Sequence, residues 1–240
     1  MSLFKADTVP YPKVNIDLTD EMSAHAALIR LVGQDRRVLE VGSGWGHVTR
    51  MLTQQGCRVT CLELSAEMAT VSEPFCDRMV IGNIEVMDLA KEFPSEYFNV
   101  ITFGDVLEHL RDPVAVLRHV KPLLSARGYI VASIPNVSHR SVLYALMLGE
   151  FPYSDDGLLD RTHLRFFTRR TVDCMFREAG FHIKEMIPIR NDSFYVSAKP
   201  TYRNSLDRLR HKIVKAVVKM FSHQESRTFQ FVVRAETAES

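Results

Sequence analysis

The sequence predicts an α/β fold in which a mostly parallel sheet carries helices on both faces. Three features predict it. Short apolar runs alternate with segments of helical periodicity, which is the signature of successive βαβ units. A turn with glycines at 42, 44 and 46 joins the first strand to the following helix. Polar residues also stand at or just past several strand ends, and ligands in such sheets bind beyond the carboxyl ends of the strands.

The elements follow in order. From Asp20 to Val32, apolar residues at Met22, Ala26, Ile29 and Val32 keep a helical rhythm that Gly33 stops. Arg37–Val41 is a short buried strand, and His47–Gln55 a helix closed by Gly56. Arg58–Glu63 is the second strand, followed by a helix that Ser65 caps. Arg78–Ile81 and Phe98–Phe103 are the third and fourth strands, and Asp105–Leu110 is a helical turn. Asp112-Pro113 opens a helix running to about Ser125, with Asp as the cap and Pro at the first position. Gly128–Ile134 is the fifth strand.

The alternation then breaks. Ser138–Leu148 is a helix candidate, and GEFPYSDDGLLDRTHLRFFT, rich in turn formers and aromatics, fits a functional loop better than a disordered one. Thr168 caps a helix to Ala179, Phe181–Ile189 is a strand, Asn204–Phe221 a helix, Thr228–Arg234 a last strand and ETAES a frayed tail. The 240 residues thus read as a single domain with insertions at about 136–168 and 203–222.

Composition narrows the function. The chain is 46% hydrophobic and 25% charged, as ordinary globular proteins are. Thirty Lys and Arg against 29 Asp and Glu give a net charge of +1, which argues against DNA as a partner. No apolar run approaches the ~20 residues of a spanning helix. The opening MSLFKADTVPYPK lacks a signal-peptide core, so the expected location is cytoplasmic. Cys57, Cys61, Cys76 and Cys174 form no CxxC pair and are expected to be reduced. The sequence sets no oligomeric state.

The loop Gly42-Ser43-Gly44-Trp45-Gly46 is built for close approach of a ligand to the backbone. It is not a dinucleotide fingerprint, which would put glycine where His47 stands, and it has no P-loop lysine. Its companions are Glu63, whose carboxylate can accept from two ribose hydroxyls, Gly82-Asn83, whose amide can meet an adenine edge, and Gly104-Asp105.

In VLEVGSGWGHVT, VTCLELS, VIGNIEVMDL, FNVITFGDVLEHLRDP and GYIVASIPN, the chain resembles the class I S-adenosylmethionine-dependent methyltransferases over about residues 20–190. DVLEHL, IPNVSH and GLLDRTHLRFFT resemble a bacterial subgroup related to the ubiquinone-type O-methyltransferases. The resemblance implies a Rossmann-like, seven-stranded sheet and S-adenosyl-L-methionine as the cofactor. It implies that Glu40 and the loop Gly42, Ser43, Gly44, Trp45 and Gly46 cradle the methionine part. Glu63 would hold the ribose hydroxyls, Leu64 and Ile84 would sandwich the adenine, and Asn83 stands where an aspartate is more usual. This cofactor carries a sulfonium, an amine and a carboxylate but no phosphate, in keeping with the missing phosphate motifs.

An oxygen acceptor needs its proton removed, so a histidine beside the cofactor favours O-methylation. Asp105, Glu108 and His109 fall at i, i+3 and i+4, one face of a helix. His109 is read either as the general base or as a histidine satisfied by a backbone carbonyl. With His163, the same residues form an alternative divalent-metal site, ranked below a metal-free one. It resembles the Glu-x-x-Glu-His pattern of the ubiquinone and small-RNA methyltransferases, with Asp in the first place. His139 and His163 flank the loop expected to cover the acceptor. Tyr144, Phe151 and Tyr153 offer it apolar faces, and Asp155, Asp156, Asp160 and Arg161 offer hydrogen bonds; the alternative is that Asp160 and Arg161 pin the loop and Phe166-Phe167 join the core.

The sequence therefore reads as a methyltransferase acting on oxygen of a small-molecule or saccharide acceptor. A quinone or phenol is the runner-up, followed by RNA 2′-O-methylation; a non-catalytic cofactor-binding regulator is the reading from a different class. From Arg203 to Lys219, six Lys and Arg face one acid, Asp207, with Leu206, Leu209, Ile213, Val217 and Met220 at helical spacing. That stripe either packs on the sheet or makes peripheral contact with a membrane or a partner.

Overall fold

The structure, a computed structural model, describes residues 16–196, 202–221 and 224–238. The first half of the chain runs α1 (Ala24–Val32), β1 (Arg37–Val41), α2 (His47–Gln54), β2 (Arg58–Glu63), α3 (Ala66–Ser72) and β3 (Arg78–Ile81). A single turn of helix, α4 (Leu89–Glu92), precedes β4 (Phe98–Gly104), α5 (Pro113–Val120) and β5 (Leu124–Pro135). The remainder is α6 (Arg140–Met147), α7 (Arg169–Glu178), β6 (Phe181–Arg190), α8 (Ser205–Phe221) and β7 (Thr228–Thr237).

The seven strands form one sheet in the order β3-β2-β1-β4-β5-β7-β6. β1 to β5 pair in parallel, while β7 lies antiparallel to both β5 and β6. Strand order reverses between β1 and β4, which opens the crevice where such sheets take their ligands. Alternation along the strands sorts the core into two layers. Leu39, Ile101, Phe103 and Ile130 face α5 and α7, meeting Leu117, Val120, Val172 and Phe176. Val38, Val59, Val100 and Val131 face α1 and α2, meeting Ala26, Ile29, Val32 and Leu52. Burial on both faces explains why these strands read as continuous apolar runs.

Caps fix the helix starts. Ser23 Oγ accepts from Ala26 N, Ser65 Oγ from Met68 N, and Asp112 Oδ1 from Ala115 N, while Thr168 and Thr171 cap α7 reciprocally. Several expected boundaries are corrected. α1 starts at Ala24 rather than Asp20, because Asp17 and Asp20 spend their carboxylates on local turns, accepting from Thr19 N and Met22 N. α5 ends at Val120, where Pro122 forces a 3₁₀ turn, and the strand begins at Leu124 instead of Gly128. The expected tail is strand as far as Thr237, held beside β6 by the Phe181–Thr237 pairing.

Two expectations for the insertions are also overturned. His139 and Tyr144 do not line an acceptor pocket. The buried His139 caps α6 through Ser141 N and binds Asn191 O through Nε2 (2.8 Å), while Tyr144 Oη meets His211 Nδ1 of α8 at 2.6 Å. On α8, His211, Val214 and Val218 turn inward, and the Leu206–Met220 stripe does not pack on the sheet.

Candidate functional site

Polar residues gather where β1, β2 and β4 end. Gly42, the first residue past β1, donates its N–H to Leu62 O at 2.8 Å, tying the loop to β2. It has φ +74°, and a Cβ here would come within 2.6 Å of Val106 Cγ2, so only glycine lets the β1 loop lie against the β4 loop. Gly44 also has a positive φ, +50°, but nothing lies within 4 Å of where its Cβ would be. Open space over a left-handed glycine is what close approach of a ligand requires. The flanking residues brace the loop: buried Ser43 bonds Ser72 of α3 (Oγ···Oγ 2.9 Å), Gly46 caps α2, and Trp45 is half-buried.

Glu63 holds the loop from the end of β2. Its Oε2 accepts from Gly44 N and its Oε1 from Ser65 N, both at 2.9 Å. Glu63 is buried, and each carboxylate oxygen keeps a further lone pair, so two acceptor positions remain for a diol. Leu64 beside it is 69% exposed, an unusual place for a leucine with no partner surface, while Ile84 is buried in the core. Asn83 is exposed, and its Oδ1 caps the local turn by accepting from Glu85 N at 2.9 Å. Below the loop, Glu40 is buried, taking a 3.7 Å contact from Cys61 Sγ; burial pushes its carboxyl up to about 8.

The second half of the site is reached through Val106. Residues Leu107–His109 form one 3₁₀ turn, not a helix face, so Asp105 does not join Glu108 and His109. Asp105 has φ +54°, and its carboxyl turns toward β5 and β7. Its Oδ1 accepts from Ser133 Oγ (2.9 Å) and from Gln230 Nε2. Burial raises its pKa. Gly104 before it sits against Leu28 of α1.

Glu108, His109 and His163 do converge. Glu108 O accepts from the N–H groups of both Leu164 (2.8 Å) and Arg165 (2.9 Å), which latches the insertion onto the β4 loop. His163 is thereby brought edge-on to His109, with ring centroids 4.8 Å apart, and its Nε2 lies 3.9 Å from Glu108 Oε1. His109 Nδ1 is 3.3 Å from Thr162 O and 3.2 Å from Thr162 Oγ1. A carbonyl can only accept, so in the neutral ring Nδ1 carries the proton and Nε2 is the acceptor. Thr162 is fixed by Asp160, whose Oδ1 accepts from both its N and its Oγ1 (2.7 and 2.6 Å). Asp160 and Thr162 were not assigned this positioning role from the sequence; the D-x-T spacing of an Asx turn was the available signal.

Electrostatics set the trio apart. Burial, then the nearby Asp105, pushes the Glu108 carboxyl well up, and burial, then His109, pushes His163 down. Both carboxylate oxygens of Glu108 and Nδ1 of His163 are buried without a hydrogen-bond partner among the described residues. One ligand atom from each of Glu108, His109 and His163 lies within 4.8 Å of the others. Phe166 stands 6.3 Å from His163, and with Phe151 and Tyr153 it forms an exposed edge-to-face cluster with centroid spacings of 5.1 and 5.9 Å. Arg161 pairs with Asp155 at 2.9 Å, an exposed ion pair within the insertion itself.

A doubly wound sheet, a glycine loop without a phosphate-binding motif and a carboxylate at the end of β2 define a Rossmann-like protein suited to a nucleoside cofactor. Residues 14–185 match the family model described as a methyltransferase domain, and the chain belongs to that family. It is 31% identical over 165 residues to a ubiquinone biosynthesis O-methyltransferase of Nitrosospira multiformis, a match covering 66% of each chain. The chain thus spans just under two thirds of that relative's length. Its fold is similar to a SAM-dependent methyltransferase from Archaeoglobus fulgidus (TM-score 0.58, 17% identity, 89% of this chain and 94% of that one). It is also similar to the 1,6-didemethyltoxoflavin-N1-methyltransferase of Burkholderia thailandensis, solved with its substrate and S-adenosylhomocysteine (TM-score 0.57, 18% identity, 92% and 79%).

Proposed function

We propose that this chain transfers a methyl group from S-adenosyl-L-methionine to an oxygen atom of a small-molecule or saccharide acceptor. When bound, the cofactor supplies a sulfonium methyl, an electrophile that needs alignment more than activation. The supporting observation is the join between the two half-sites. Val106 touches the glycine loop only three residues before His109, so a cofactor over Gly44 has its reactive end directed toward the histidine pair.

The chain's residues divide the work. Glu63 holds the ribose diol, Leu64 and Ile84 bracket the adenine with Asn83 at its edge, and Glu40 with the Gly42–Gly46 loop faces the methionine part. Asp105 orders the end of β4. His109, with its proton parked on Nδ1 against Thr162 O, takes the acceptor's proton at Nε2, and His163 and Glu108 hold it in place. The Phe151, Tyr153 and Phe166 rings offer a flat apolar face that fits a sugar ring or a phenol. The name of the Nitrosospira relative favours a phenolic or quinone-like acceptor as the second choice.

A second reading concerns a metal. Glu108, whose two buried oxygens have no hydrogen-bond partner among the described residues, together with His109 and His163, has the N and O donors that suit a divalent cation. Such an ion would lower the pKa of an acceptor hydroxyl. The deciding experiment measures S-adenosylhomocysteine formation over panels of sugars, sugar nucleotides, phenols and catechols. Turnover with an oxygen acceptor is expected; cofactor binding with no product from any panel would favour a regulator instead. Activity unchanged after dialysis against EDTA would remove the metal.

A further inference from the structure

α8 is inserted between β6 and β7, whose connection leaves the sheet at the same edge as the carboxyl ends of β4 and β5. Among the described residues it is held to the domain along one side only. His211 meets Tyr144, Arg210 Nη2 donates to Leu148 O at 2.8 Å, Val218 packs with Tyr144 and Leu148, and Lys215 lies 4.7 Å over the Phe194 ring. At ~100° per helical residue, the residues turned away from that side are Leu206, Leu209, Ile213, Val217 and Met220. They fall within an arc of roughly 80°. Leu206 is 77% exposed, Leu209 52%, Ile213 55% and Met220 71%. A straight apolar stripe of this kind, about 21 Å long at 1.5 Å per residue, is not what a helix in water carries without a partner surface.

Charge identifies that surface. Arg208, Lys212 and Lys219, all exposed, line one flank of the stripe, and Arg210 lies on the other. The helix's one acid, Asp207, is turned inward beside His211 (3.5 Å). A second copy seated face to face would bring these cations against one another, which disfavours a dimer through this stripe. A plane of anionic headgroups over acyl chains meets both features at once. Tyr202, 45% exposed and packed edge-on to His211, adds an amphipathic ring at the start of the helix. Leu143, Leu146 and Met147 of the neighbouring α6 are exposed as well.

We infer that α8 is a membrane-docking helix that lies in the surface of an anionic phospholipid bilayer, its Leu206–Met220 stripe entering the acyl boundary and its flanking cations on the headgroups. The inference does not depend on which acceptor is methylated.

The test is flotation of the full chain with phosphatidylcholine vesicles, with and without phosphatidylglycerol, at low and high salt. Binding to the anionic vesicles at low salt is expected, weakened by salt and by omission of phosphatidylglycerol. Arg208→Ser/Lys212→Ser/Lys219→Ser should weaken it roughly 100-fold, at about fivefold per cation. Leu209→Asp/Ile213→Asp should abolish it, with circular dichroism and cofactor titration matching the parent chain. Should a variant fail to fold, the lipid and salt dependence of the parent chain still decides. No flotation at low salt, equal binding to neutral vesicles, or binding retained by both folded variants would overturn the inference. So would a dimer in sedimentation velocity that the Leu209/Ile213 variant dissociates while the parent chain leaves vesicles alone.

Discussion

Glu40 is a buried acid under a glycine loop, and its cost depends on pH. The unfolded chain ionises it near 4.5, whereas the folded chain holds the proton up to about 8. Below 4.5 both states are protonated and Glu40 makes no difference. Between the two values the unfolded state has lost a proton that the folded state keeps, so stability falls as pH rises, by ~1.4 kcal/mol per unit and about 5 kcal/mol in all. Glu40→Gln removes that slope. The melting temperature of the variant should exceed the parent's at pH 8 and converge with it near 4.5; parallel curves across the range would contradict the buried, protonated state. For the histidines, His109→Ala should lower turnover by about 10²- to 10⁴-fold while calorimetry finds cofactor affinity unchanged. A parallel loss of cofactor affinity would make His109 structural. At this scale the sequence was legible for residue type and less so for direction. Glu108, His109 and His163 meet as their spacing and resemblance implied. Asp105 does not, because i, i+3 and i+4 share a face only on an α-helix, and Asp105 is a left-handed residue ending a strand.

At the scale of elements, the β1–α2 loop separates folding from binding in two neighbouring glycines. Gly42→Ala must adopt a left-handed backbone and push Val106 away, so chemical denaturation should register a loss above the ~1–2 kcal/mol of the backbone alone. Gly44→Ala meets the backbone cost only, since its methyl would enter open space. Its stability loss should therefore be smaller, yet its cofactor affinity should fall, the methyl standing where the ligand approaches. Equal stability losses with unchanged affinity for Gly44→Ala would place the ligand elsewhere. Element order was readable because strand and helix periods differ and because Ser65, Asp112 and Thr168 announce helix starts. Element ends were not: Pro122, two residues past the end of α5, redirects the chain into β5 earlier than the apolar pattern suggests.

At the scale of the molecule, the sheet places β1 and β4 at its centre and β3 and β6 at its edges. Amide hydrogen exchange should be slowest in β1, β4 and β5 and faster in β3 and in the 149–167 insertion, with the insertion slowed by a bound acceptor. Fast exchange in β1 would contradict a core built around the switch point. Topology at this level was accessible through resemblance more than through pattern, since periodicity alone does not order strands. The orientation of α8 was not legible: it carries apolar residues on two sides, Val214 and Val218 as well as the Leu206–Met220 stripe, and the Tyr144–His211 contact is among those that decide which side packs.

The most direct test of the cofactor assignment is calorimetric titration of S-adenosylmethionine into the parent chain and Glu63→Ala. A single site is expected in the parent. Removing two carboxylate hydrogen bonds, at about 1.5–3 kcal/mol each, should weaken it at least ~100-fold in the variant. No heat from the parent chain at saturating ligand, or equal affinity in both proteins, would contradict the account.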